Sequence, residues 1–100
     1  MERRQIHAIH PGEFLADELN ERNMTAAELS RALGVPQNRI SDILRGRRSI
    51  TVDTALRLAR WMGSSPQYWL NLQQTYDLRM AEHELLPEIE RTVTPDVHVA

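Results

Sequence analysis

Residues 25–46 read TAAELSRALGVPQNRISDILRG, and this stretch decides the fold. Thr25 is followed three residues later by Glu28, the spacing of a capping box, in which each side chain accepts a hydrogen bond from the other residue's backbone N–H. Gly34 is the residue type that most often ends a helix in the left-handed conformation, and Pro36 suits the start of a new helix. The stretch therefore predicts two short helices joined by a tight turn.

These two helices are predicted to cover about residues 26–33 and about residues 36–45. Apolar residues recur at helical spacing on the sides that face each other: Leu29, Leu33, Ile40 and Ile43. Their packing sets the helices at a steep angle, which is the helix-turn-helix arrangement. The second helix then presents its polar side outward, in the way that a DNA major groove accepts a recognition helix.

The polar side of the second helix carries residue types that read bases: Gln37, Asn38, Arg39, Ser41 and Asp42. Gln and Asn pair with adenine, Arg pairs with guanine, and Asp accepts from the amino group of cytosine. Residues suited to phosphate lie at the start of the first helix and after the second: Thr25, Arg45, Arg47, Arg48 and Ser49. Such residues are also common on solvated surfaces, and Asp42 either accepts from a base or repels phosphate.

The charge distribution supports an anionic partner for this part of the chain. The net charge is −2 at pH 7, but residues 31–60 carry seven arginines against Asp42 and Asp53, a balance of +5. The balance is −3 over residues 1–30 and −4 over residues 61–100. A basic middle between two acidic ends predicts one basic face that meets nucleic acid.

Three further helices are predicted outside this pair, at about residues 11–22, 52–62 and 66–84, because apolar residues recur there every three or four positions. Residues 1–10 are expected to form an extended arm. Residues 85–100 follow no helical pattern and are expected to be a tail, either an edge strand or disordered. The chain is thus predicted to be all-α, with one five-helix domain over residues 11–84.

The last predicted helix carries an aromatic set with no later helix to cover it: Tyr68, Trp69, Leu72 and Tyr76. Part of this set is predicted to form a dimer interface, because exposed apolar patches of this size mark interaction sites. An ordinary core role is the alternative. Dimerisation also suits the helix-turn-helix, since two half-sites are needed for tight specific binding.

Composition excludes several classes of protein. The chain has 100 residues, 41% of them hydrophobic and 26% charged, which is typical of one globular domain. It contains no cysteine, which excludes disulfide frameworks, thiolate metal sites and cysteine nucleophiles. No apolar run approaches the roughly 20 residues that span a bilayer, and no secretory signal is present. We expect a cytoplasmic protein without metal or cofactor, because His7 and His10 lack accompanying ligands.

Three stretches resemble a known family. Met24 to Ile50 is similar to the helix-turn-helix of phage-repressor and Cro-like (XRE) proteins. HPGEFL at residues 10–15 resembles the opening of the HigA/VapI-type antitoxins, as do SPQYWLNLQ at 65–73 and YDL at 76–78. The resemblance implies a five-helix lambda-repressor-like dimer that binds double-stranded operator DNA, represses its own operon and neutralises a HigB/RelE-like mRNA interferase. It implies no membrane partner.

Other functions stay open at this point. No nucleophile is paired with a base at usable spacing and no phosphate loop is present, so an enzyme is not expected. A stand-alone transcriptional repressor without a toxin has the same sequence features as an antitoxin. A third hypothesis is an interaction protein that retains the helix-turn-helix frame but no longer binds DNA, which the net charge and Asp42 favour.

Overall fold

The computed structural model describes residues 8–97, and over this range the chain folds into five α-helices without a strand. The helices are α1 (Pro11–Arg22), α2 (Ala26–Leu33), α3 (Gln37–Leu44), α4 (Val52–Met62) and α5 (Pro66–Thr92). The predicted all-α, five-helix architecture is confirmed. Most of the predicted arm, residues 1–7, lies outside the described residues.

Side-chain caps start three of the helices where the sequence predicts them. Thr25 Oγ1 accepts from the backbone N–H of Glu28 at 3.1 Å, and Glu28 Oε1 accepts from that of Thr25 at 2.9 Å, which completes the capping box. Thr51 caps α4 and Ser65 caps α5 through their own side-chain oxygens. Helix α3 starts one residue later than predicted, because Pro36 has extended backbone angles and serves as the N-cap.

The core lies where α1, α2, α3 and α4 meet the first half of α5. Its fully buried members are contributed by every helix: Leu15, Leu29, Ile40, Ile43, Ala55, Leu58 and Trp69. The residues predicted to pack across the helix-turn-helix all belong to this core. A large apolar side chain contributes roughly 1.5–3 kcal/mol by leaving water, so the core holds α3 in a fixed orientation.

Helix α5 is longer than predicted and continues through Pro87 to Thr92. A proline inside a helix removes one backbone hydrogen bond, which is why the sequence predicts an end near Glu84. The lost bond is tolerated here because the side chains from Glu82 onward are all exposed, so no packing depends on the local geometry. Residues 93–97 form no strand, and residues 98–100 of the predicted tail lie outside the described range.

Candidate nucleic-acid interface

The outward side of α3 brings together four of the five predicted base-reading residues. Gln37 and Asn38 are exposed, while Ser41 and Asp42 are partly buried on the same side of the helix. The opposite side carries Ile40 and Ile43, which are fully buried and attach the helix to the core. A short helix held by its apolar side, with amide side chains at its exposed N-terminal end, has the form of a recognition helix.

Arg39, the fifth predicted reader, is not on that surface. Its Nη1 donates to Asp53 Oδ2 of α4 at 2.6 Å, and Arg57 Nε donates to the same oxygen at 2.9 Å. Arg57 Nη1 also donates to the backbone carbonyl of Leu33 at 2.8 Å, at the last turn of α2. Hydrogen bonds from the two arginines hold the pKa of Asp53 below its usual value. Arg39 therefore joins α3 to α4, and the structure does not place it beside Gln37.

The basic loop, residues 45–49, follows α3 directly and is shaped by the end of that helix. The backbone N–H of Gly46 donates to the Ile43 carbonyl at 3.0 Å, and that of Arg47 donates to the Asp42 carbonyl at 2.8 Å. These two bonds form a Schellman motif, which needs a left-handed residue at Gly46, whose φ is +76°. The motif turns the loop outward, and its predicted phosphate-contacting side chains are all exposed: Arg45, Arg47, Arg48 and Ser49.

Asp42 and Arg48 form an ion pair within this surface. Arg48 Nη2 lies 3.6 Å from Asp42 Oδ2, and both side chains are partly exposed. Exposed pairs of this kind stabilise a protein by at most about 1 kcal/mol, so an incoming phosphate competes easily for the guanidinium. Asp42 thus neutralises part of the basic loop in the free protein.

Thr25, the remaining predicted phosphate contact, is exposed at the N-terminus of α2. Its hydroxyl oxygen accepts the capping bond from the Glu28 N–H, and a hydroxyl that accepts in this way can still donate its own hydrogen. Helix N-termini favour anions. The position is therefore compatible with a phosphate contact, although Glu28 places a carboxylate beside it.

The HPGEFL opening has a packing role that the sequence pattern alone did not reveal. Gly12 is buried at the start of α1, where it lies directly against the backbone of Ile43 in α3. A Cβ atom at Gly12 would overlap the Ile43 carbonyl oxygen. Only glycine allows the two backbones to approach so closely. The signal was a glycine in the first turn of a helix, where its low helix propensity has no local benefit.

The SPQYWLNLQ stretch has a comparable role at the other end of the basic loop. Gln73 is only 6% exposed, and its Oε1 accepts from the backbone N–H of Ile50 at 2.7 Å. Its amide nitrogen donates to Asp77 Oδ1 at 2.9 Å. A glutamine four residues after Trp69 was the available signal, since it continues the core-facing side of α5. Gln73 anchors the chain where the loop leads into α4.

The predicted dimer residues on α5 divide between core and surface. Trp69 is fully buried, so the prediction that it lies in an interface is wrong: its indole fills the core between α4 and α5. Leu72 and Tyr76 are half-buried, and Tyr68 is 47% exposed. Beyond them, α5 presents further exposed apolar side chains: Leu78, Leu85, Leu86 and Ile89.

Two other expectations concern ligands and membranes. Across residues 8–97, no three side chains of histidine, aspartate or glutamate come together in a way that would hold a metal ion. His7 lies outside the described residues. Of the helices that the structure describes, none combines the length and the apolar character needed to cross a bilayer.

Comparison with known proteins identifies the frame. A family model described as "Helix-turn-helix" matches residues 15–69, more than half of the chain. Virulence-associated protein I of Dichelobacter nodosus is 49% identical over 81 residues, which cover 80% of this chain and 75% of that protein.

Solved structures give the same result over the whole domain. An addiction module antidote protein of the HigA family from Coxiella burnetii is 52% identical, with a TM-score of 0.84 over 88% of this chain and 97% of that one. The antitoxin HigA of Pseudomonas aeruginosa, solved with the higBA promoter, is 42% identical, with a TM-score of 0.87 over 89% and 98% of the two chains. The chain therefore belongs to the helix-turn-helix family and, within it, to the HigA/VapI-type antitoxins.

Proposed function

We propose that this protein is the antitoxin of a type II toxin–antitoxin operon, that it binds its own operator as a homodimer, and that it neutralises a RelE-like mRNA interferase. One observation carries the DNA-binding part. The exposed amide side chains of Gln37 and Asn38 lie on the same surface as the basic loop, and that loop extends from the end of the same helix. A base-reading helix flanked by phosphate-binding arginines is what operator recognition requires.

The roles of the individual residues follow from their positions. Gln37, Asn38 and Ser41 would face base edges in the major groove. The arginines of the basic loop would contact phosphates on one side of the groove, and Thr25 would contact them on the other side. The similarity to a HigA solved with its promoter supports this assignment. The similarity to an addiction module antidote supports the toxin partner.

Substituting Gln37 and Arg47 should affect DNA binding in different ways. Gln37→Ala is expected to cost about 1–3 kcal/mol on the operator and to relax discrimination at one base pair, because a base contact is lost. Arg47→Ala is expected to weaken binding to all sequences alike and to make the salt dependence shallower by about one phosphate. Fluorescence anisotropy on the fragment upstream of the reading frame and on its single-base variants measures both. Uniform loss across variants in both mutants would contradict the role of Gln37.

The exposed stripe on α5 supports a homodimer. Tyr68, Leu72, Leu78, Leu85 and Ile89 recur at steps of four to seven residues, which places them along one side of the helix. None of these five is fully buried within one chain. Two copies bound to adjacent major grooves of an operator would have their recognition helices about 34 Å apart. The stripe offers the copies a common surface outside the DNA-binding side.

Charges placed on this stripe should separate the copies. We expect the double variant Leu78→Glu/Leu85→Glu to sediment as a monomer and to lose operator binding, because the introduced carboxylates would have to be buried unpaired. Both side chains are more than half exposed, so the helical circular dichroism should be unchanged. Gln74→Glu, on another exposed part of the same helix, is the control and should stay dimeric. A double variant that sediments as a dimer would place the interface elsewhere.

The toxin partner is tested by co-expression. A tagged copy of this chain, expressed from its native operon, should co-purify with the product of a neighbouring reading frame. That product alone should stop growth and cleave mRNA on ribosomes, and this chain should restore growth. If no neighbouring product is bound or toxic while operator binding is intact, the protein is a stand-alone repressor and the antitoxin part of the proposal is wrong.

A further inference from the structure

His10 connects three elements beside the basic loop, although the proposed function assigns it no role. Its Nδ1 accepts from the backbone N–H of Gly12 at 2.9 Å and so caps α1. Its ring packs edge-on against Tyr76 of α5, with centroids 4.9 Å apart and planes at 71°. It is also hydrogen-bonded to the backbone of Arg48 in the basic loop. His10 is only 8% exposed, so the three elements enclose it.

The contact with the basic loop extends beyond that one hydrogen bond. Gly46, which makes the left-handed turn of the loop, lies over the imidazole: a Cβ atom there would be 3.7 Å from the Cγ atom of His10. His10, Tyr76 and Gly46 line one small cavity of about 300 Å³ together with Arg45 and Glu13. The imidazole therefore supports the underside of the turn from which the arginines project.

We propose that His10 is a positioning residue for DNA binding, which holds the basic loop where Arg47 and Arg48 reach the phosphate backbone. Because Nδ1 is occupied by Gly12, the neutral ring donates through Nε2–H to the Arg48 carbonyl. One tautomer thus fixes the end of the loop to the start of α1. The inference deepens the proposed function and rests on it, since it assumes that these arginines bind phosphate.

The geometry requires a neutral imidazole. Protonation would put an N–H at Nδ1 against the N–H of Gly12 and break the cap. Burial lowers the pKa of His10, and this outweighs the opposite effects of the Asp77 carboxylate on α5, the Arg48 carbonyl and the Glu13 carboxylate on α1. Arg45 also lines the cavity and disfavours a second positive charge. The folded protein therefore binds this proton less readily than the unfolded chain, and stability is lost as the pH falls below about 6.5.

His10→Asn separates the capping role from the positioning role. Asparagine is among the best N-cap residues, so α1 should remain capped and the melting temperature at pH 7.5 should stay close to that of the wild type. The shorter amide cannot also reach Arg48. We expect about tenfold weaker binding both to the upstream operator fragment and to a mixed-sequence 30-bp duplex, with a salt dependence shallower by about one phosphate. His83→Asn, at an exposed position on α5, should bind as the wild type does.

Two further measurements distinguish failure of this inference from failure of the proposed function. In the free wild-type protein, the backbone amide signals of Gly46 and Arg48 should shift with the imidazole signal of His10 as the pH is lowered. If the wild type binds neither DNA, the proposed function fails, and this titration alone decides the inference. Amide signals that do not follow His10, or a His10→Asn variant that binds DNA as tightly as the wild type, would overturn it.

Discussion

Alanine at Gly12 should destabilise the protein strongly, although alanine is the better helix former. Helix propensity alone favours Gly12→Ala by about 1 kcal/mol. The structure predicts the opposite, because the added Cβ would overlap the backbone carbonyl oxygen of Ile43, which cannot turn aside as a side chain can. Overpacking of this kind costs roughly 3 kcal/mol, so we expect the melting temperature to fall by about 15 °C.

Gly63→Ala is the matched control for this prediction. Gly63 ends α4 with φ +73°, and a Cβ atom added there would meet no other atom within 4 Å, so its substitution tests backbone conformation without a steric clash. It should cost about 1–2 kcal/mol. Thermal and urea denaturation followed by circular dichroism measure both variants. A Gly12→Ala protein as stable as the wild type would mean that α1 and α3 are not in direct backbone contact.

The helix-turn-helix was predictable because its signals are local. The Thr25–Glu28 box, Gly34 and Pro36 each act within a few residues, and the structure places the ends of α2 and α3 within one residue of the prediction. The exposure of Gln37 and Asn38 follows from the same helical period that buries Ile40 and Ile43. Local signals of this kind do not depend on what the rest of the chain does.

The parts that were not predictable depend on contacts between distant residues. Arg39 has the residue type and position of a base reader, but Asp53, fourteen residues later, holds its guanidinium. Trp69 is an aromatic residue on the last helix, and only the packing of α4 against α5 shows that it fills the core. His10 and Gly12 belong to a motif that indicates the family, but their contacts with Arg48 and Ile43 appear only when α1 is placed against α3.

The end of α5 differs from the prediction for another reason. Pro87 is a strong local signal for a helix end, but the residues after it keep helical geometry. Thr92 Oγ1 donates to the Glu88 carbonyl at 3.0 Å, and the Val93 N–H donates to the Ile89 carbonyl at 2.7 Å. These bonds complete the last turn. A proline in the middle of an exposed helix therefore bends or weakens it without ending it.

Binding to operator DNA should weaken steeply as salt is added. With about four phosphates held by each protomer, a dimer contacts about eight, and each contact contributes about −0.9 to the slope of log K against log salt concentration. The slope should be near −7, so that raising the salt from 50 to 200 mM lowers the affinity by roughly 10⁴-fold. The overall charge of −2 does not predict this, because the acidic residues are concentrated outside residues 31–60.

The slope tests directly whether the basic loop and α3 form a DNA-binding surface. Anisotropy titrations of the fragment upstream of the reading frame, at five salt concentrations, measure it for the wild type and for the double variant Arg45→Gln/Arg47→Gln. We expect a slope near −7 for the wild type and about four units less for the variant, two for each protomer. A wild-type slope shallower than about −3, or an unchanged slope in the variant, would contradict the assignment of this surface to DNA.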